Sequence, residues 1–322
     1  MMLWLAAAAL AVVLVGFALA RHASAYTRRT EVTFPPTGRF IDADGTRLHV
    51  REAGMQGAPR ILLIHGASSN LLELWGPLAD EFSPLHRVIA YDRPGMGYST
   101  RIKRNGHAMA YQAKCAARVL EQTGGDPAII VAHSLGSSVA LRVALDYPHL
   151  VRGLVLVAPA ANPFPQFKPA WWARLSATPI LGGIFCNLIV PFFGPAMSGK
   201  SVANNFWPAP VPMNYQEQAG VPLIFRPVAF RASALDVCAA NTEFGLQSPR
   251  YGDLLTPTVI ITAEKDRIVS PQRHARALAV TLPAGELVIA PDTGHMPHRL
   301  RTDLVIAAIR RVNELTSAPA ER

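Results

Sequence analysis

The sequence predicts an α/β fold: a mostly parallel sheet flanked by helices, with an inserted helical lid and an N-terminal apolar helix of membrane-spanning length. Three observations carry this. Short runs of apolar, β-branched residues recur along the chain, uniform in polarity as strands covered on both faces are. Longer stretches of helical periodicity separate them, the alternation from which parallel sheets are built. The alternation fails once, over the Pro- and aromatic-rich residues 160–250, and then resumes.

The elements follow in chain order. From Met1 to Ala20 there is no charged side chain, and 20 residues of helix span about 30 Å, the hydrocarbon thickness of a bilayer. Ala18-Leu19-Ala20 and Ala23-Ser24-Ala25 have the small-x-small form of a signal-peptide cleavage site. Against cleavage, no Lys or Arg precedes the run and it exceeds a usual signal core, so residues 1–20 are expected as an anchor and 21–35 as a polar linker. Arg21, Arg28 and Arg29 flank its C-terminal side, which would keep the body in the cytoplasm. A secreted or periplasmic location after cleavage is the alternative.

The first part of the core is expected over 36–159. Arg39–Ala43 and Arg47–Glu52 read as a hairpin closed by Asp44-Gly45, and Arg60–His65, Arg87–Tyr91, Ala128–Ala132 and Gly153–Val157 as buried strands. Ala108–Gln122 and Ser137–Asp146 have helical periodicity. The lid, 160–250, contains NPFPQFKPAWWARL, ILGGIFCNLIVPFFG and NFWPAPVPM, too broken by Pro for a second spanning helix. The second part of the core, 251–322, offers strands Thr258–Thr262 and Glu286–Ala290 and helices Pro271–Thr281 and Arg301–Leu315.

Composition narrows the function. Of 322 residues 50% are hydrophobic and only 16% charged, which supplies a large core and excludes a disordered chain. The net charge of +9 is dispersed without a dense basic run, so it fits anionic lipid headgroups better than nucleic acid. Cys115, Cys186 and Cys238 are odd in number and have no metal-like spacing, so free buried thiols are expected, with no disulfide framework, metal or cofactor.

The stretch AIIVAHSLGSSVALRVAL, Ala128–Leu145, places Ser134 at a strand-to-helix turn. Such a turn strains the serine backbone and needs small residues two positions to either side. Gly136 supplies one, whereas Ala132 stands where G-x-S-x-G has its first glycine. Alone, Ser134 is equally well an N-cap. With partners it is a nucleophile beside the unpaired N–H groups of a helix N-terminus, where the N–H of Leu135 would meet an oxyanion.

The partners lie downstream. ITAEKDRIVSP puts Asp266 just past one strand and APDTGHMPHRL puts His295 just past another, at the sheet edge where open α/β folds collect ligand-binding groups. A base takes the serine proton, and a carboxylate fixes the tautomer of that base. Glu264 is the rival acid, and His298 is expected as a surface or capping residue. His133 is expected as a packed neighbour and His65 as a structural one. In LLIHGASSN the N–H of Ala67 is the candidate second oxyanion donor, with Ser68 and Ser69 as alternatives.

Ser134, Asp266 and His295 in that order, with His65-Gly66 and the turn YDRPGMGYS at Tyr91–Ser99, resemble the α/β-hydrolase superfamily. The resemblance covers nearly everything after residue 35 and implies that Asp92, Arg93, Gly95 and Gly97 shape the site from below. It also implies a serine-triad hydrolase. Branches that use an Asp nucleophile are disfavoured by Ser134. An anchor with an apolar lid is similar in architecture to membrane-bound monoacylglycerol-lipase-like members. The serine triad beneath an apolar lid makes a small-molecule or lipid ester the expected substrate. Carbon–carbon hydrolysis, perhydrolysis and a non-catalytic binding role are the alternatives.

One further motif needs weighing. Gly194–Ser201 (GPAMSGKS) matches the phosphate-loop pattern G-x-x-x-x-G-K-[ST], but VANNFWPAP breaks at Pro208 where a long helix should run, so a chance match is expected.

Overall fold

A computed structural model describes residues 1–102, 105–164 and 166–317. Positions 103 and 104 of the expected first core part, 165 of the expected lid and 318–322 of the expected second core part lie outside the described residues. The chain begins with α1 (Met2–Thr33), then β1 (Arg39–Ala43), β2 (Thr46–Ala53), β3 (Arg60–Ile64), α2 (Leu72–Phe82), β4 (Arg87–Tyr91) and α3 (Met109–Gln122). β5 (Ala128–His133), α4 (Leu135–Asp146) and β6 (Val151–Val157) follow. The inserted helices are next: α5 (Trp171–Ala177), α6 (Leu181–Leu188), α7 (Val190–Phe206), α8 (Tyr215–Gln218) and α9 (Pro227–Gln247). β7 (Thr258–Ala263), α10 (Ala277–Thr281), β8 (Gly285–Ala290), α11 (Pro297–Leu300) and α12 (Thr302–Ser317) complete the fold.

The sheet order is β1-β2-β4-β3-β5-β6-β7-β8; the β1–β2 and β2–β4 pairs are antiparallel, and every pair from β4–β3 through β7–β8 is parallel. The β1–β2 hairpin closes at Asp44 and Gly45, which take the left-handed conformation at φ 53° and 86°. Apolar side chains cover both faces of the central strands. One layer sets Ile130, Ala132 and Leu154 against α3 and α4, and the other sets Ile129, Val131 and Val155 against α2 and α12. This is why the strands read as unbroken apolar runs with no alternation.

Three expectations change. The linker at 21–35 is the second half of α1, which runs unbroken to Thr33 because Ala23 and Thr30 bury against the inserted helices. Tertiary packing there outweighs the polar composition. Helix α2 went unseen, its period being masked by Gly76-Pro77, yet Leu74, Trp75, Leu78 and Phe82 form its buried stripe. The expected helix at Pro271–Thr281 is a turn of π-helix over Gln272–Arg276 leading into α10. Gly194–Ser201 lie inside α7, where N–H groups are directed along the helix and cannot curl around a phosphate. Of the cysteines, Cys115 and Cys186 are buried and Cys238 is half-buried.

Candidate active site

Ser134 joins the end of β5 to the start of α4 with φ 51° and ψ −122°, a strained conformation for a residue with a Cβ. Its surroundings over-determine it. The Ser134 N–H donates to Val157 O at 3.0 Å, and its carbonyl accepts from the N–H groups of Ser137 at 3.0 Å and Ala160 at 3.1 Å. Gly136 makes the tight turn possible. A Cβ there would lie 2.5 Å from His65 O and 2.6 Å from Ile64 O, both backbone atoms that cannot swing aside. Ala132 needs no such room: its methyl is wholly buried in the core between Ile64 and Leu156, its partners on either side in the sheet.

Asp266, on the turn after β7, and His295, after β8, converge on this serine. Ser134 Oγ lies 3.0 Å from His295 Nε2, and His295 Nδ1 lies 2.7 Å from Asp266 Oδ2. Asp266 Oδ1 accepts from the N–H groups of Ile268 at 2.8 Å and Val269 at 2.9 Å, so the carboxylate is fixed at both ends. Glu264, the rival acid, instead caps the next loop by accepting from Asp292 N–H at 3.1 Å.

The imidazole of His295 is set by its backbone. Its N–H donates to Asn205 O at 2.8 Å and its carbonyl accepts from His133 Nε2 at 2.9 Å, joining the loop after β8 to the end of α7 and to β5. Gly294 lets these chains meet, because a Cβ there would strike Trp207 O and Asn205 O. His133 is the packed neighbour expected, its ring centroid 4.9 Å from that of His295, and burial pushes its pKa well below the ordinary value, so it stays neutral.

His298 is neither at the surface nor a cap. It is fully buried, with Nε2 donating to Glu73 Oε1 at 2.8 Å, while Tyr215 OH donates to Glu73 Oε2 at 2.7 Å and Arg299 Nε to Oε1 at 3.2 Å. Burial alone would push the Glu73 carboxyl up, but the hydrogen bond and charge of His298, with Arg299 and Tyr215, hold it well below the carboxylate range. The cluster was invisible in sequence because Glu73, Tyr215 and His298 come from three distant segments.

The loop after β3 lies against the nucleophile: a Cβ on Gly66 would be 3.1 Å from Ser134 Cβ. Ala67 follows, and among the described residues neither its N–H nor that of Leu135 is committed to a hydrogen bond. Ser68, at φ 47°, is turned away: its N–H and Oγ both meet Ser233 Oγ of α9 at 2.8 Å. His65 holds the loop, Nδ1 donating to Gly66 O at 2.9 Å while Nε2 accepts from Arg93 N–H at 2.9 Å. The bond accepted at Nε2 requires the neutral ring, and burial, reinforced by the nearby Arg93 charge, pushes its pKa down to about 3.

Arg93 itself is wholly buried. Its guanidinium donates to Gly66 O at 3.0 Å, Gln112 Oε1 at 2.5 Å and Asp236 Oδ2 at 3.0 Å, and Asp236 Oδ1 accepts from Arg101 at 2.6 Å. Asp236 thus ties α9 to the loop carrying Ala67. A lone acid within the apolar run ASALDVCAA was the signal for it. In the turn YDRPGMGYS, Asp92 accepts from Leu71 and Tyr98 N–H at 2.8 Å each, and a Cβ on Gly97 would strike its carboxylate.

A serine, a histidine and an aspartate linked in series at the C-terminal edge of a parallel sheet, with free N–H groups at the serine, define a nucleophilic α/β enzyme site in form. The model of the alpha/beta hydrolase family matches residues 61–308, and the chain belongs to that family. It is 30% identical over 267 residues to 2-hydroxymuconate semialdehyde hydrolase of Pseudomonas putida, covering 81% of this chain and 88% of that one. It is 25% identical over 283 residues to 2-hydroxy-6-oxo-6-phenylhexa-2,4-dienoate hydrolase of Burkholderia cepacia, covering 83% and 92%. Among solved structures a thermophilic esterase from Thermogutta terrifontis superposes with a TM-score of 0.69 at 20% identity, covering 87% of this chain and 100% of that one. Family and neighbours together support hydrolase activity.

Proposed function

We propose that the protein is a membrane-associated serine hydrolase that cleaves carboxylic esters of apolar, acyl-type substrates. The observation that carries this is the Ser134–His295–Asp266 relay, at 3.0 and 2.7 Å, on a strained elbow. Ser134 Oγ attacks the ester carbonyl carbon as its proton passes to His295 Nε2, and Asp266 stabilises the imidazolium and holds its orientation. The carbonyl oxygen becomes an oxyanion that accepts from the N–H groups of Leu135 and Ala67. His295 then returns the proton to the departing alkoxide oxygen, which leaves as the alcohol. Water repeats the sequence on the acyl-enzyme and releases the acid.

Ser134 is 8% exposed and His295 5%, and the end of α7 meets the His295 backbone, so parting of the inserted helices is the expected route for substrate. Those helices present mostly apolar side chains, which suits an acyl group. α1 anchors the protein, with its body on the cytoplasmic side of Arg21, Arg28 and Arg29.

Purified protein should hydrolyse p-nitrophenyl esters with activity rising with chain length, and should label with a serine-directed phosphonate. Ser134→Ala should remove both. Undiminished hydrolysis and labelling in that variant would sink the proposal. The names of the two curated relatives favour a second reading, hydrolysis of a carbon–carbon bond in a dienone acid by the same relay. Product analysis on such a dienone beside an ester decides between them.

A further inference from the structure

Helix α1 does not stand apart from the enzyme. Its residues Met1–Leu14 are exposed where described, but from Gly16 onward one stripe turns inward to meet the inserted helices. The His22 ring lies 5.1 Å from that of Phe192 on α7, Tyr26 OH donates to Pro222 O at 2.8 Å, and Glu31 pairs with Arg226 at 2.6 Å. Anchor and inserted helices therefore form one packed unit.

The same unit carries apolar surface that none of the described residues covers. There is no charged side chain between Arg174 and Lys200. Within that stretch Ile180 is 75% exposed, Leu181 62%, Phe193 53% and Met197 67%. α6 and α7 meet at 72°, so together they make a bent apolar wedge beside α1. A contiguous patch of large apolar side chains on this scale marks an interaction surface.

We infer that α6 and the first half of α7 are seated in the boundary between acyl chains and headgroups of the bilayer that α1 crosses. The depth follows from α1. Phe192 packs on His22, two residues beyond the uncharged run that ends at Ala20, and two residues of helix advance only about 3 Å. The wedge therefore lies where interfacial helices lie, with apolar faces sunk about 5–10 Å. Arg21, and Lys200 at the far end of the uncharged stretch, stand at the level of the phosphates. The helices over Ser134 then open toward lipid, and an acyl ester reaches the serine from the membrane.

This rests on the reading of α1 as a membrane span, and the experiment separates the two. The full-length protein, with Cys238→Ser as background, receives one cysteine at a time by Leu10→Cys, Phe193→Cys, Met197→Cys or Val280→Cys. Each is labelled with an environment-sensitive fluorophore and reconstituted into phosphatidylcholine–phosphatidylglycerol vesicles carrying a nitroxide on the acyl chain. Labels at 10, 193 and 197 should each lose about half or more of their emission, and the label at 280, exposed on α10 of the core, almost none. Quenching at 10 with none at 193 and 197 overturns the seated wedge and leaves the span intact. No quenching at 10 overturns both. Labels at 193 and 197 that are shielded from water, unquenched by lipid and cross-linkable between chains would assign the patch to a second copy and overturn the inference.

Discussion

Asp236→Ala tests the tie between the inserted helices and the loop carrying Ala67. Asp236 and Arg93 are both fully buried, and among the described residues the other partners of the Arg93 guanidinium, Gln112 Oε1, Gly66 O and Met96 Sδ, are uncharged. Burial already pushes Arg93 below its ordinary pKa, and Asp236 is the charge that opposes this. Removing one member of a buried pair costs about 3–5 kcal/mol, because the other charge stays in a low-dielectric interior. At about 2 °C per kcal/mol for a chain of this size, thermal unfolding followed by circular dichroism should fall by about 6–10 °C. Asp236→Asn should lose nearly as much, since it restores a hydrogen bond and no charge. The double variant Arg93→Met, Asp236→Leu should regain part of the loss, as apolar replacements of buried pairs often do. A shift under about 2 °C for Asp236→Ala, or a double variant less stable than the single one, would refute the reasoning.

Three other predictions follow from the same structure. Asp266→Asn should lower kcat on an acyl ester by about 10⁴-fold while Glu264→Gln stays within about threefold of the parent; equal losses would show that the wrong carboxylate has been assigned. Gly136→Ala should abolish activity or soluble expression because its Cβ meets the backbone of β3, whereas Ala132→Gly should keep activity within a few-fold and lower stability by about 1 kcal/mol, read from initial rates and melting curves. Stability should decline steadily as pH falls below about 6.5: burial pushes His65 down to about 3 and His274 to about 4. Each is neutral when folded but gains a proton when unfolded, so the stabilisation is full above the unfolded pKa and lost as pH falls toward the folded one. Melting temperature against pH should show this slope, and His274→Gln should flatten it; an unchanged profile would count against buried neutral histidines as its source.

Much of the architecture was legible because it is local. The strands β3 (Arg60–Ile64), β5 (Ala128–His133) and β7 (Thr258–Ala263) are covered on both faces, so their composition alone marks them, and residues just past their ends must gather at one sheet edge. Ser134, Asp266 and His295 are such residues, each just past a strand end. Where neighbours in space outweigh neighbours in sequence, the reading failed. His298 looked like a surface residue because its partner, Glu73, is 225 positions away. The polar half of α1 looked like a linker because the surface it packs on belongs to α6 and α7.

The sequence by itself determined the alternation of strands and helices, the place of the inserted segment, the apolar N-terminal run and the serine at a strand-to-helix turn. These are properties of periodicity and of backbone sterics, which act over a few residues. Only the tertiary structure decided that Asp266 and not Glu264 meets His295, that Arg93 and Asp236 hold the loop of Ala67, and that α1 and the inserted helices are one body. Each of those depends on which groups share a buried volume, where an unpaired charge or donor is costly, and no local pattern encodes that.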